Sequence, residues 1–517
     1  MNKIEVYRTH IRINDYTVGS CIALENCFTI YDPITHDFYY EGLYYDEESR
    51  TLFIPRGVDI PFIEKRIGAE AVFIEGCDKF DVFNNIQLKY FPRDNVQKQA
   101  LQFMIGVDKY ERNQYLSQLS VNLNTGKGKT YCSIATIAYI GARAIIIAYS
   151  TKWLQQWKEF ILEYTDTRPE EICMMISSSK ISRTMKEKNK DRYKFILTSH
   201  SSIGSYAKNN GWESIGKLFK ELKIGIKIYD ESHLNFKSMY MIDYFTNTWK
   251  TYYVTATPLR SNKDENKIYQ LYMKNVPGID LFNQNEDPHT HYIAIRYNSQ
   301  PPLDVLQNCK NQYGLDRNKY VNYIVHNQNF YKMLRLIMNM IINKGGKTLI
   351  YIGTIQAIDI VYEWIIHEYP EFEYNTCILT SEVEDKEIIL KNQIILSTTK
   401  SAGTAMDIPF LQRTVILAEP FKSEILARQT LGRTRANNTE YVEVVDTGFK
   451  MINKWFLTKK PIFKKYALSC KIINVSNRDL DSMSDKIIND RQAKMLIPKE
   501  YKNVITFHGI EGGITFY

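Results

Sequence analysis

Residues 124–130 read NTGKGKT, and residues 230–233 read DESH. Glycines at 126 and 128 let a loop wrap closely around oxygens with its N–H groups pointing inward. Lys129 reaches the β- and γ-phosphates of a nucleotide held there, and the Thr130 hydroxyl ligates Mg²⁺. Thr125, Gly126, Lys127, Gly128 and Tyr131 complete the expected cradle. Asp230 and Glu231 are the carboxylates expected to order the metal and to polarise the attacking water. The chemistry implied is hydrolysis of a nucleoside triphosphate, with ATP and Mg²⁺ as the expected cofactors.

Such residues need a scaffold that ends strands in polar clusters. From about residue 93 the sequence supplies one. VQKQALQFMIG is patterned as a helix, LSQLSVNL as a strand leading into the NTGKGKT loop, and 129–140 as the helix that follows. ARAIIIAYS is a continuous apolar run of the kind a parallel strand shows when both faces are covered. KFILTSH, IGIKIYDESH and TYYVTATP repeat the pattern, each closing on polar residues at the strand's carboxyl end. A second series follows: helix YKMLRLIMNMIIN, strand GKTLIYIG, helix AIDIVYEWIIHEY, then strands NTCILT, NQIILSTT, RTVILAEP and EYVEVVD. Ahead of both, residues 1–92 alternate short β-rich runs (CFTIYD, HDFYYEGLYYD, RTLFIPRG, AVFIEG, IQLKYF) with turns and one helical segment, PFIEKRIG. The expected organisation is a small β-rich domain over 1–92, α/β lobes over 93–295 and 296–460, and an extension over 461–517.

Composition narrows the class. The chain has 517 residues and a net charge of +8, which suits a polyanionic partner. None of the 8 cysteines forms a CxxC pair, which argues against a zinc site and for a reducing, cytoplasmic setting. The segment MNKIEVYRTHIRIND has no apolar h-region, and no run reaches the roughly 18 apolar residues of a membrane span. The cluster Lys459, Lys460, Lys464 and Lys465 suits either a solvated face or a backbone contact. Trp153 and Trp157 read as helix packing.

The order of these motifs resembles a superfamily 2 helicase of the DEAD/DEAH type, over roughly residues 93–450. FPRDNVQ, with Arg93 and Gln97, resembles the segment that reads adenine, and NTGKGKT resembles motif I. IIIAYSTKWLQQW resembles motif Ia and implies backbone contacts by Ser150 and Thr151. ILTSHSSI implies another at Ser199. DESH resembles motif II, which implies that His233 links nucleotide state to the second lobe through TATP, with Thr255 and Thr257, the segment that resembles motif III. STTKSAGTAMDIP resembles motif V and implies a DNA contact at Thr399 and nucleotide contacts at Gly403 and Asp407. RQTLGRTR resembles motif VI, with Gln429, Arg433 and Arg435 facing the γ-phosphate. The resemblance implies two RecA-like parallel-sheet lobes with ATP in the cleft between them. Charge from arginines on the second lobe is worth on the order of 10³–10⁵ in rate. The sequence departs from the pattern at Tyr149, Ala405 and Ala436, where the family usually carries Pro, Gly and Arg.

QQW, DESH, the overall size and the IPRG segment (Ile54 to Gly57) resemble the tailed-phage branch-migration helicases, the UvsW group. That implies a monomeric, ATP-driven DNA motor acting on forks or four-way junctions in recombination, repair or replication. Two other readings stay open: a viral origin- or site-binding protein with a secondary motor, and an RNA helicase.

Overall fold

In the run Ala144–Ala148 every residue is buried, which requires cover on both faces of the strand. The computed structural model supplies that cover. It describes residues 3–31, 38–74, 76, 85–123, 126–232, 234–255, 263–281, 289–311, 314–380, 389, 391–399, 408–431 and 438–482. These fall into two units, Met1–Gln284 and Asn285–Tyr517.

The first unit opens with strands β1 (Lys3–Val6), β2 (His10–Asn14), β3 (Tyr44–Asp46), β4 (Thr51–Pro55) and β5 (Ala71–Phe73), in sheet order β3-β4-β2-β1-β5. A second sheet holds β6 (Gln118–Asn122), β7 (Ala144–Ala148), β8 (Ile172–Met175), β9 (Phe195–Ser199), β10 (Ile226–Asp230), β11 (Lys250–Thr255) and β12 (Gly278–Asp280). Its order is β8-β9-β7-β10-β11-β6-β12, and every pairing is parallel. The helices that matter for the site are α1 (Asn95–Ile105), α2 (Lys129–Ile140), α3 (Thr151–Tyr164), α4 (His200–Asn210) and α5 (Phe236–Tyr244). The loops and helix starts that follow β6, β7, β9, β10 and β11 therefore gather along one edge, the edge where ligands meet open α/β sheets.

Alternation along β10 assigns its two faces. Ile226 and Ile228 join a core with Leu119, Ile134 and Trp157. Tyr229 joins a core that continues into Ile4, Val6, Ile11 and Ile54 of the amino-terminal sheet. The amino-terminal strands therefore share their core with this lobe. Polar contacts tie the same seam. Lys227 is paired with Asp243 on α5 and donates to Thr246 Oγ1 at 2.7 Å, while Tyr229 and Tyr253 donate to the Asp243 carboxylate at 2.7 and 2.6 Å. The Thr9 hydroxyl donates to the Thr246 carbonyl. Asp243→Ala strands the Lys227 ammonium in this interior. The expected loss of stability is about 3–5 kcal/mol, the cost of breaking a buried pair. Denaturant unfolding of the variant checks this, and a loss below about 1 kcal/mol contradicts it.

The second unit repeats the plan with β13 (Thr290–Tyr297), β14 (Lys347–Ile352), β15 (Thr376–Leu379), β16 (Ile394–Ser397), β17 (Leu411–Ala418), β18 (Thr439–Asp446) and β19 (Ser469–Asn474). The order is β15-β16-β14-β17-β18-β13-β19, again wholly parallel. Both units thus contain a RecA-like lobe. β19, beyond residue 460, is an edge strand of this sheet. Lys459 is removed from the basic cluster: it is 1% exposed, pairs with Glu443 and lies 4.0 Å over the Phe421 ring.

Two local expectations fail. CFTIYD begins inside a helix, Ile22–Phe28, because Leu24 and Phe28 are buried at helical spacing, and only Thr29–Tyr31 is a strand. IQLKYF forms no strand, only one isolated bridge from Leu88 to Thr165.

Candidate active site

The phosphate-binding loop runs from β6 into α2. Gly126 and Gly128 take φ of 82° and 87°, the left-handed region, and Gly128 caps α2. A Cβ at Gly128 would lie 2.9 Å from Gln97 Cδ and overlap its amide nitrogen. Glycine is required there twice over, by backbone angle and by space. Gln97 is itself fixed. Its Oε1 accepts the Arg93 backbone N–H at 2.8 Å, and its own N–H goes to Asp94, the N-cap of α1. Arg93 is exposed and reaches the Gly126 carbonyl through Nη2 at 3.3 Å. Lys127 and Thr130 are half-buried, and Tyr131 is buried with its hydroxyl on the Tyr90 carbonyl at 2.9 Å. Burial beside this loop pushes the Cys132 thiol up to about 12, so it stays protonated.

At the end of β10 the acidic pair meets this loop. The Lys129 ammonium is paired with Glu231 Oε1, and both side chains are about a tenth exposed, at 11% and 9%. Glu231 has φ of 49°, a left-handed backbone that turns its side chain back toward the loop. The Thr255 hydroxyl, fully buried at the end of β11, donates to Glu231 Oε2 at 3.4 Å. Asp230 accepts the indole N–H of Trp157 at 2.9 Å. Arg93, Gln97, Gly126, Gly128, Lys129, Asp230, Glu231 and Thr255 are therefore brought together. Trp157 is the residue that sequence reasoning missed. QQW signalled a helix in the right place but not a bond to the carboxylate.

Asp230 carries an electrostatic cost. Burial, then the Glu231 carboxylate beside it, raises its pKa from 3.8 to about 6, against the opposing pull of Lys129 and Trp157. A carboxyl with a raised folded pKa imposes no penalty below the unfolded value of 3.8 and the full penalty once pH exceeds about 6. Asp230→Asn is therefore expected to stabilise the nucleotide-free protein above pH 6, by up to about 3 kcal/mol at about 1.4 kcal/mol per pKa unit. Melting curves at pH 8 and pH 5 check the sign. The gain should be larger at pH 8, and an equal gain at both contradicts the assignment.

Ser150 occupies the N-cap position of α3 without a side-chain capping bond, and Thr151 is exposed as the first residue of that helix. Ser199 is wholly buried. It caps α4 through Ser202 N and bonds the Ser201 and Ser202 hydroxyls, which leaves Ser201 as the exposed hydroxyl of that turn. Thr399 in the second unit is also buried, its hydroxyl and N–H both on the Glu419 carboxylate. Gln429 lies on helix Glu424–Leu431, with its side chain outside the described residues. Thr125, His233, Thr257, Gly403, Asp407, Arg433 and Arg435 also fall outside them. Among the described residues no group of three or more His, Cys, Asp or Glu is placed to hold a metal by itself, and no helix is long and apolar enough to cross a membrane.

Both lobes carry the wholly parallel sheet of a RecA-like fold, and the loop and acidic pair lie in the first of them. Residues 91–260 match the family described as type III restriction enzyme, res subunit. A protein named "Putative DNA 3'-5' helicase Rad25" from Haloarcula marismortui is 25% identical over 146 residues, which cover 28% of this chain and 21% of that relative. Among solved structures, T4 UvsW is similar with a TM-score of 0.36 and 14% identity, over 91% of this chain and 99% of the other. Saccharomyces cerevisiae Dbp5 bound to RNA and ADP BeF3 gives 0.47 and 16%, over 78% and 93%.

Proposed function

We propose that this chain is an ATP-driven DNA motor that remodels forked or four-way DNA in recombination, repair or replication. The observation that carries the proposal is the Lys129–Glu231 pair with Asp230 beside it, all held where a phosphate loop meets the end of β10. Lys129 takes the β/γ-phosphates, and Thr130 with Asp230 would hold Mg²⁺. Glu231 orients the attacking water, and Gln97 with Arg93 meets the adenine. Bound Mg²⁺ would neutralise charge on the transferring phosphoryl group. Gln429, Arg433 and Arg435 are assigned to the γ-phosphate, and Gly403 and Asp407 to the nucleotide, by the motifs they belong to. His233, Thr255 and Thr257 transmit nucleotide state.

DNA as the substrate is supported by the name of the Haloarcula marismortui relative and by the QQW and DESH motifs. Ser150 and Thr151 sit at a helix start, where backbone N–H groups favour phosphate. The exposed Ser201 takes the place of the buried Ser199 in the proposed nucleic-acid path, and Thr399, held by Glu419, is left out of it. Such contacts hold backbone without reading sequence, as a motor needs.

The test follows a labelled four-way junction and a linear duplex of the same sequences, with and without ATP. The proposal expects ATP-dependent conversion of the junction, whatever its sequence. A sequence-dependent complex that needs no ATP would instead indicate a site-binding protein. Activity confined to RNA would indicate an RNA helicase.

A further inference from the structure

Trp157 lies on α3, is 4% exposed and packs in the core with Leu154 and Ile161. Its indole N–H points out of that core onto Asp230 Oδ2 at 2.9 Å. One neutral donor of fixed direction thus holds this carboxylate at the carboxyl end of β10. It carries no charge, so it does not compete with a cation for it. A lysine or arginine in the same place would hold the carboxylate and also neutralise it.

The helix matters as much as the bond. α3 begins at Thr151, about 9 Å along the axis from Trp157 at 1.5 Å per residue. Ser150 and Thr151 at its start are the proposed backbone contact, and its second turn ends in the indole. A rigid helix held by its buried face carries a displacement at one end to the other. Trp153, one turn earlier, has its ring tilted by 42° against Tyr149 at 5.5 Å and is only half-buried. It serves as an internal control on the same helix.

We propose that Trp157 is a positioning residue: its indole N–H fixes the Asp230 carboxylate for Mg²⁺ and makes that placement depend on the helix that meets nucleic acid. This rests on the reading of Asp230 as the Mg²⁺ carboxylate. Two variants separate the bond from the packing. Trp157→Phe keeps most of the ring and removes the donor. Trp157→His packs less well but can place a ring N–H where the indole N–H was.

The experiment measures ATP turnover against Mg²⁺ concentration, with and without duplex DNA, alongside binding of a fluorescent ATP analogue in EDTA and a melting curve. For Trp157→Phe the expected result is a several-fold rise in the Mg²⁺ needed for half-maximal turnover. About ten-fold of the DNA stimulation should be lost, with Mg²⁺-free nucleotide binding unchanged. Trp157→His is expected closer to wild type than Trp157→Phe in Mg²⁺ requirement, and Trp153→Phe is expected to match wild type. A Mg²⁺ requirement that follows packing, with Trp157→Phe normal and Trp157→His shifted, overturns the proposal, and so does wild-type behaviour in both. If Trp157→Phe does not melt cooperatively, Trp157→His decides alone, and a several-fold rise in its Mg²⁺ requirement overturns the proposal. Asp230→Asn run in parallel keeps the two readings apart. Its retained turnover would sink the Asp230 assignment itself, whereas its loss beside a normal Trp157→Phe sinks only the role of Trp157.

Discussion

Lys129→Ala is expected to lower ATP turnover by at least roughly 10²–10³-fold, the usual cost of deleting one preorganised donor to transition-state charge. Without nucleotide, the ammonium is held by Glu231 in a site where both side chains are about a tenth exposed. Incoming phosphate oxygens replace that carboxylate, so the lysine exchanges one anion for another and needs no new desolvation. Alanine removes the positive charge from the transition state and also leaves Glu231 without its lysine. The second effect costs up to about 3 kcal/mol, moderated by water that enters from the loop side. The variant should fold and keep DNA affinity within a few-fold. Steady-state turnover at saturating DNA measures the effect, and activity within ten-fold of wild type would remove Lys129 from the site.

Glu231→Gln should separate two roles in one residue. As the group that orients the attacking water, the carboxylate is worth roughly 10²–10⁴-fold in rate, and glutamine loses it. As the partner of Lys129, the same carboxylate competes with the nucleotide, and glutamine releases the lysine. Turnover should fall steeply while the Kd for a fluorescent ATP analogue with Mg²⁺ falls several-fold. Weaker nucleotide binding would mean that the pair assists binding, which contradicts the competition read from the geometry. The contrast with Lys129→Ala is direct, because that variant should bind nucleotide more weakly.

The centre of the site was legible because it is written in contiguous residues. Gly128 and Lys129 form a cap and a first helical residue, and Asp230 and Glu231 close one strand, so local order alone predicts them. What escaped the sequence is tertiary. Trp157 and Asp230 meet only because β7, which leads into α3, pairs beside β10 in the sheet. An apolar helix pattern cannot report which edge of an indole faces a carboxylate. The buried states of Ser199 and Thr399 were hidden for a similar reason. A hydroxyl at a strand end reads as available until a capped turn or an acid such as Glu419 is seen to occupy it. The amino-terminal strands were recognisable by period-two patterning. Their shared core with β10 was not, because Lys227 and Tyr229 give no local sign that Asp243 and Thr246 complete their bonds. Only the start of CFTIYD was misread, because Thr29, Ile30 and Tyr31 give the run its β character while Cys27 and Phe28 end a helix marked by the i, i+4 burial of Leu24 and Phe28.

The most direct test of the central claim is steady-state ATP hydrolysis by the full chain with no nucleic acid, single-stranded DNA, linear duplex, a four-way junction and RNA in parallel. The account predicts Mg²⁺-dependent turnover that rises with DNA and rises most with the junction. Absence of hydrolysis under every condition, or turnover indifferent to all the nucleic acids, would contradict it.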